Sequence, residues 1–213
     1  MKKIMFNDKL RLTQAVLEGR KTQTRRIITH PKRFKGKDVF GFYVYKRVID
    51  SVITEVCMYD EDEISIDEGQ ILPKYKIGEV VAVAQSYKDA DVCFIPCDLR
   101  LKHNHLWGHT ANMKGWTNKM FVQAEVLPHQ IRITDVRVER LQDISDDDCL
   151  KEGVRKVVNE NGIYIQYYVG QGNNACSFEN PREAFAHLIN KVSRKDVWNV
   201  NPYVFVYDFE LVK

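Results

Sequence analysis

Residues 19–26, Gly-Arg-Lys-Thr-Gln-Thr-Arg-Arg, place four cations and two hydroxyls within eight positions. A hydroxyl, an amine and a guanidinium held at one corner of a chain are the parts of an anion site or of an activated nucleophile. In an extended segment Thr22, Thr24 and Arg26 share one face, with Gln23 and Arg25 on the other. Lys21 sits at the turn, from which its amine reaches either face. A plainer role for the same residues is a solvated basic run that complements the carbonyl end of the preceding helix.

The elements around this octad are legible. Leu12, Ala15, Val16 and Leu17 form one apolar face of a short helix over residues 10–18. Gly19 ends it, because glycine adopts the left-handed conformation without a steric penalty. Lys3 to Phe6 reads as a first strand, and His30-Pro31 through Lys37 as a loop. Val39–Val48 and Ser51–Met58 are rich in β-branched and aromatic residues and read as a hairpin or neighbouring strands. Asp60–Gly69 reads as a solvated acidic loop. Lys76–Glu79 turns into a buried strand at Val80–Ala84. Residues 88–116 show no clear period. Met120–Val126 and Gln130–Arg140 alternate as strands, the second with a slip at Thr134-Asp135 that predicts a bulge.

Ser145 is a helix N-cap with Asp148 three residues on. Asp146 and Asp147 suit the positive end of that helix, which runs to about Glu152 and stops at Gly153. Gly162–Val169 reads as a strand and Gly170–Asn174 as a loop. Pro181–Val192 is an amphipathic helix using Ala184, Phe185, Leu188 and Val192. Tyr203–Val212 is a last strand. Many strands and three short helices, without regular alternation, predict an α+β fold around a mostly antiparallel sheet or barrel.

The chain has 213 residues with 44% hydrophobic content, enough for one well-buried core. With 32 Lys+Arg against 29 Asp+Glu, net charge does not by itself imply a nucleic-acid partner. The cations instead concentrate in the N-terminal fifth. Five cysteines, an odd number, argue against a disulfide framework and for a reducing, cytoplasmic setting. No apolar run reaches the length of a signal peptide or a membrane span, so no membrane partner is expected. Cys93, Cys97, His103, His105 and His109 are of metal-ligating types, but their spacing matches no zinc module and no metal or cofactor is expected. Trp107, Trp116 and Tyr87 lie near the same segment and are candidates for base stacking.

Four blocks occur in the order of a known family. LEGRKTQTRR, YKIGEVVAV, ITDVRVERLQDISDDDCLKEGV and NPYVFVYDFE resemble the ASCH domain proteins of the PUA-like superfamily, most closely a bacterial and phage-borne branch. The resemblance covers residues 1–28, 75–86, 117–154 and 196–212. It implies a single domain over 1–213: a small, mostly antiparallel β-barrel with flanking short helices and insertions at about 32–72 and 88–115.

It also implies two functions. The superfamily is associated with RNA binding, so RNA or a modified nucleotide is the expected partner, with Thr22, Arg25, Arg26 and Gln85 as ligand contacts in a basic cleft around Lys21–Arg26. One small ASCH family is an amidohydrolase that deacetylates acetylcytidine, and its motif maps Lys21, Thr24 and Glu152 as the catalytic set. In those roles Thr24 is the nucleophile and Lys21 the base, its pKa lowered by burial and by Arg25 or Arg26. Glu152 shuttles the proton, and Arg26 or a backbone N–H stabilises the oxyanion. The chain departs from the branch at Ala82-Val83-Ala84-Gln85, where relatives carry Trp-Val-Arg-Glu, and at Val122-Gln123-Ala124, where they carry Met-Pro-Arg. Those losses raise a third alternative, a domain without activity that serves in protein interaction.

Overall fold

Two long strands form the spine: β9 (Gln130–Arg140) and β13 (Tyr203–Val212), antiparallel along almost their whole length. The computed structural model describes residues 1–46, 54–90, 114–159, 161, 164–170, 172 and 175–212. Around the spine lie β1 (Lys3–Ile4), β2 (Gln23–Ile27) and β8 (Val80–Val83), in the order β1-β8-β9-β13-β2. Only β1 and β8 are parallel; the other pairs are antiparallel.

Among the described residues three α-helices accompany the sheet: α1 (Leu12–Leu17), α2 (Asp146–Lys151) and α3 (Pro181–Ser193). α1 buries Leu12, Ala15 and Val16, and α3 buries Ala184, Phe185, Leu188 and Ile189. Their apolar faces join Ile131, Ile133, Leu141, Ile144, Val204 and Val206 in one core. The ladder between β9 and β13 pairs Asp208 with Asp135 and then Phe209 with Ile133, so Thr134 is the extra residue of the expected bulge.

Between β2 and β8 the chain forms two small sheets of its own. One pairs β3 (Arg33–Phe34) with β4 (Lys37–Asp38). The other orders β5 (Gly41–Lys46), β6 (Thr54–Tyr59) and β7 (Ser65–Gln70) as a meander. A further meander comprises β10 (Arg155–Val158), β11 (Ile165–Val169) and β12 (Cys176–Phe178), against which α3 packs.

The α+β class with mostly antiparallel strands is thus observed, and several expectations need correction. The segment from His30 to Lys37, expected as a loop, contains β3 and the start of β4. The sheet is open rather than a closed barrel: β1 and β2 end the strand order, and no ladder joins them among the described residues. β1 is Lys3–Ile4 rather than Lys3–Phe6, and Leu12 N–H bonds back to Asn7 O where α1 begins. The Arg26 side chain crosses the gap instead, donating from Nη2 to Met5 O at 2.7 Å. Residues 65–70 are strand β7 and not part of an acidic loop, held by the inward Ile66 and Gly69 positions. Met120–Val126 is not a strand but two 3-10 turns, Lys119–Phe121 and Ala124–Val126, whose Val122, Ala124 and Val126 pack on Ala82. Among the described residues no helix is long and apolar enough to cross a membrane. Cys93, Cys97, His103, His105, His109 and Trp107 lie outside the described residues.

Candidate functional site

The octad follows α1 directly. Glu18 closes the helix and Gly19 takes φ 71, the left-handed conformation its position requires. Lys21 N–H then bonds to Ala15 O at 2.9 Å, and Thr22 is pinned between Lys151 O, at 3.0 Å from its N–H, and Phe209 N–H, at 2.8 Å from its carbonyl. These bonds aim the Lys21 side chain inward, past Phe6, whose ring centroid lies 5.7 Å from Nζ.

On the other side of the pair, Ser145 caps α2 by accepting from Asp148 N–H at 3.1 Å. The helix ends at Glu152, and Gly153 turns the chain away at φ 107. Lys21 Nζ donates to Glu152 Oε2 at 2.6 Å, to Glu152 O at 2.7 Å and to Gln23 O at 2.7 Å. Those three bonds satisfy all three donors of an ammonium. The pair is closed to solvent, with Lys21 2% and Glu152 3% exposed. Burial pulls the Lys21 pKa below the ordinary lysine value, with Arg26 and Arg25 adding to that direction and Glu152 opposing it.

Arg25 sits at the centre of a larger network. Nε and Nη2 donate to Glu139 Oε1 at 3.1 and 2.6 Å, and Nη2 also reaches Asp148 Oδ2 at 3.3 Å. Nη1 donates to Glu152 Oε1 at 3.2 Å and to Gln23 Oε1. Five donors meet five acceptor contacts on a side chain that is fully buried. Gln23 Nε2 donates to Asp208 Oδ1 at 2.7 Å, Asp208 accepts from Arg137 Nη1, and Arg137 Nε returns to Glu139 Oε2 at 3.3 Å. Gln23, Arg25, Glu139, Arg137 and Asp208 therefore close a ring across β2, β9 and β13. Asp148 bridges both arginines from α2, at 3.2 Å from Arg137 Nη2. Burial opposes ionisation of Asp148, but the Lys151 hydrogen bond and the Arg25 and Arg137 charges outweigh it and hold its pKa below the ordinary value. Cys149 is buried beside this network, and burial pushes its thiol up to about 12.

The octad is thus not a free basic patch. Lys21 and Arg25 are neutralised by Glu152, Glu139 and Asp148, and Arg20 pairs with Glu18 at 2.6 Å. Arg25 has no donor left for a ligand in this arrangement. Arg26 differs. It points to the opposite face of β2, stacks at 5.9 Å on Phe6, and meets no carboxylate among the described residues. It lines a cleft of about 480 Å³ with Lys3, Met5, Ile27, Leu72, Lys74 and Tyr75, over a floor that includes Phe205 and Tyr207. Among the described residues three cations and no carboxylate line this cleft. Lys3 Nζ is held by the carbonyls of Lys119, Met120 and Val122, while Lys74 Nζ lies 5.5 Å from the Tyr75 ring centroid.

Of the residues singled out from sequence, Lys21 and Glu152 come together. Thr24 lies on the face opposite Gln23 and Arg25, paired with Tyr207 on β13. It is 5% exposed, and its hydroxyl makes no hydrogen bond among the described residues. Gln85 belongs to a different region, with Oε1 2.7 Å from His129 Nδ1. Sequence reasoning missed Gln23, Arg137, Glu139 and Asp208, and took Asp148 only as a helix-start residue. The alternation of Asp135, Arg137 and Glu139 along one face of β9 was the available signal.

No protein-family model, curated protein or solved structure matches this chain.

Proposed function

We propose that the chain is an RNA- or nucleotide-binding domain of the PUA-like (ASCH) kind, and that its ligand seats in the Arg26 cleft. The division of charge on β2 carries this reading. Arg25 is consumed by an internal ring, whereas Arg26 faces a cleft that, among the described residues, holds cations and no acid. About 480 Å³ suits a ligand of nucleotide size. Arg26 and Lys74 supply the phosphate contacts, and Met5, Ile27 and Leu72 supply apolar walls for a base or ribose.

The test is anisotropy of a labelled single-stranded oligoribonucleotide over a salt series. Binding weakens as salt rises, and Arg26→Ala with Lys74→Ala flattens the slope by roughly 1.4, two contacts at about 0.7 each. Affinity and slope unchanged in that variant defeat the reading.

A second reading rests on one observation: a lysine and a glutamate 131 positions apart meet at 2.6 Å, as the family resemblance implies for an acetylcytidine amidohydrolase. In that reaction neutral Lys21 would remove the Thr24 proton, the Thr24 oxygen would attack the acetyl carbonyl, and the C–N bond would break with proton return to the amine through Glu152. Water would then hydrolyse the acetyl-Thr24 ester, releasing acetate and restoring the hydroxyl. Burial lowers the Lys21 pKa in the direction this role needs; the closed pair would have to open to substrate and Thr24 would have to reach Lys21. Deacetylation of acetylcytidine by the wild type and its loss in Lys21→Ala support this reading. No turnover at high enzyme concentration removes it.

A further inference from the structure

Arg11, Arg20 and Arg155 converge on a second hollow, of about 120 Å³, whose lining shares no residue with the Arg26 cleft. Arg11 precedes α1 in a left-handed conformation, φ 56, and its side chain makes no hydrogen bond or ion pair among the described residues. Arg155 donates from Nη2 to Gly170 O at 3.3 Å, and its Cζ lies 6.0 Å from the Tyr168 ring centroid. It meets no carboxylate among the described residues. Gly153 and Gly170, both at positive φ, bring bare backbone to the wall.

Among the described residues one acid lines the hollow. Glu18 accepts from Arg20 Nε at 2.8 Å, and its pKa is held below the ordinary value by hydrogen bonds from Gln14 and Arg20 and by the Arg20 and Arg11 charges. Among the described residues that line it, three guanidinium groups against one carboxylate leave an excess of positive charge around a hollow of about 120 Å³. A space of that size suits a small tetrahedral oxyanion. Guanidinium forks match phosphate oxygens in pairs.

We propose that this hollow binds the dianion of a phosphate monoester. The charge complement selects a dianion over a phosphodiester, and the volume selects the phosphoryl group over the rest of the ligand. The inference is independent of the Arg26 cleft.

The experiment follows the Gly153 and Gly170 amide resonances of the full chain on titration with inorganic phosphate and, separately, with dimethyl phosphate. Inorganic phosphate gives saturable shifts at both amides, and dimethyl phosphate binds at least roughly tenfold more weakly. Arg11→Gln removes an exposed, unpaired side chain and weakens phosphate binding roughly tenfold, as does Arg155→Lys, whereas Arg26→Ala leaves it unchanged. Non-saturating shifts, equal response to the two anions, or an unaltered titration in Arg11→Gln overturns the proposal. One oligoribonucleotide with and without a 5′-phosphate then identifies the source. A gain from the 5′-phosphate that disappears in Arg11→Gln assigns the site to an RNA end; phosphate binding without that gain assigns it to a small phosphate ester.

Discussion

A double-mutant cycle on Lys21 and Glu152 tests the feature on which the buried site turns. Lys21→Met removes an ammonium with three acceptors and leaves Oε2 of a 3% exposed carboxylate without its partner. Arg25 Nη1 still reaches Oε1 at 3.2 Å, so the carboxylate is not wholly orphaned. The expected loss is therefore about 3 kcal/mol, the lower end of the range for breaking a buried ion pair. Glu152→Leu leaves the ammonium two carbonyls and deprives Arg25 of one acceptor, again about 3 kcal/mol. The double variant removes both charges. What remains is the loss of donors to two carbonyls and one acceptor to Arg25, about 1 kcal/mol each. The double variant thus loses about 3 kcal/mol rather than about 6, a coupling of about 3 kcal/mol. Urea unfolding followed by far-UV circular dichroism measures it; each single substitution shifts the midpoint by about 1.5 M at a slope of about 2 kcal/mol per M. A coupling below about 0.5 kcal/mol would show that amine and acid are not paired in solution.

Asp148 has a lowered pKa in the folded chain, so the unfolded chain binds more protons just below the ordinary value of 3.8. Its stabilising contribution is present above that value and is lost as pH falls through the folded pKa. Asp148→Asn should flatten the acid limb of urea midpoints measured across that window, and an unchanged limb refutes the bridge to Arg25 and Arg137. At Gly153, φ is 107, and an added Cβ would stand 3.0 Å from Leu12 Cδ2 and 3.6 Å from Lys21 Cδ. Gly153→Ala should cost about 1–3 kcal/mol in thermal or urea unfolding, and a loss under about 0.5 kcal/mol contradicts that geometry.

The α+β class and most element types were legible because local chemistry agreed with tertiary context. Gly19 ends α1, Ser145 caps α2, Pro181 opens α3, and the slip at Thr134 is a bulge. Two failures share one cause: period alone does not reveal hydrogen-bond partners. Val122, Ala124 and Val126 alternate in burial against Ala82 of β8 but form no ladder with a strand among the described residues, and the segment takes 3-10 turns instead. β7 reads as acidic solvent loop because only Ile66 and Gly69 turn inward. The open sheet likewise depends on where β1 stops. In the site, the Lys21–Glu152 contact was legible through family resemblance alone. Glu139 and Asp208 looked like ordinary polar positions of alternating strands, and only the register of β2, β13 and β9 brings them to Arg25.

That register also explains how tandem arginines come to do different work. Alternation sends Arg25 into the acidic ring and Arg26 into the open cleft. A one-residue slip of β2 that brought Arg26 to the inner place would bring Ile27 to the outer one, so the cleft would lose its arginine. Gln23 is a further guardian of register: its amide accepts from Arg25 and donates to Asp208, closing the ring between β2 and β13. A slip would bring Thr24 to that position, and a threonine hydroxyl is too short to span the two partners. Lys21 adds a second lock, since its amine meets the carbonyl end of α2 only while Thr22 stays bonded to Lys151 O. The two residues flanking Thr22 thus help to fix which guanidinium is neutralised inside and which one faces the open cleft.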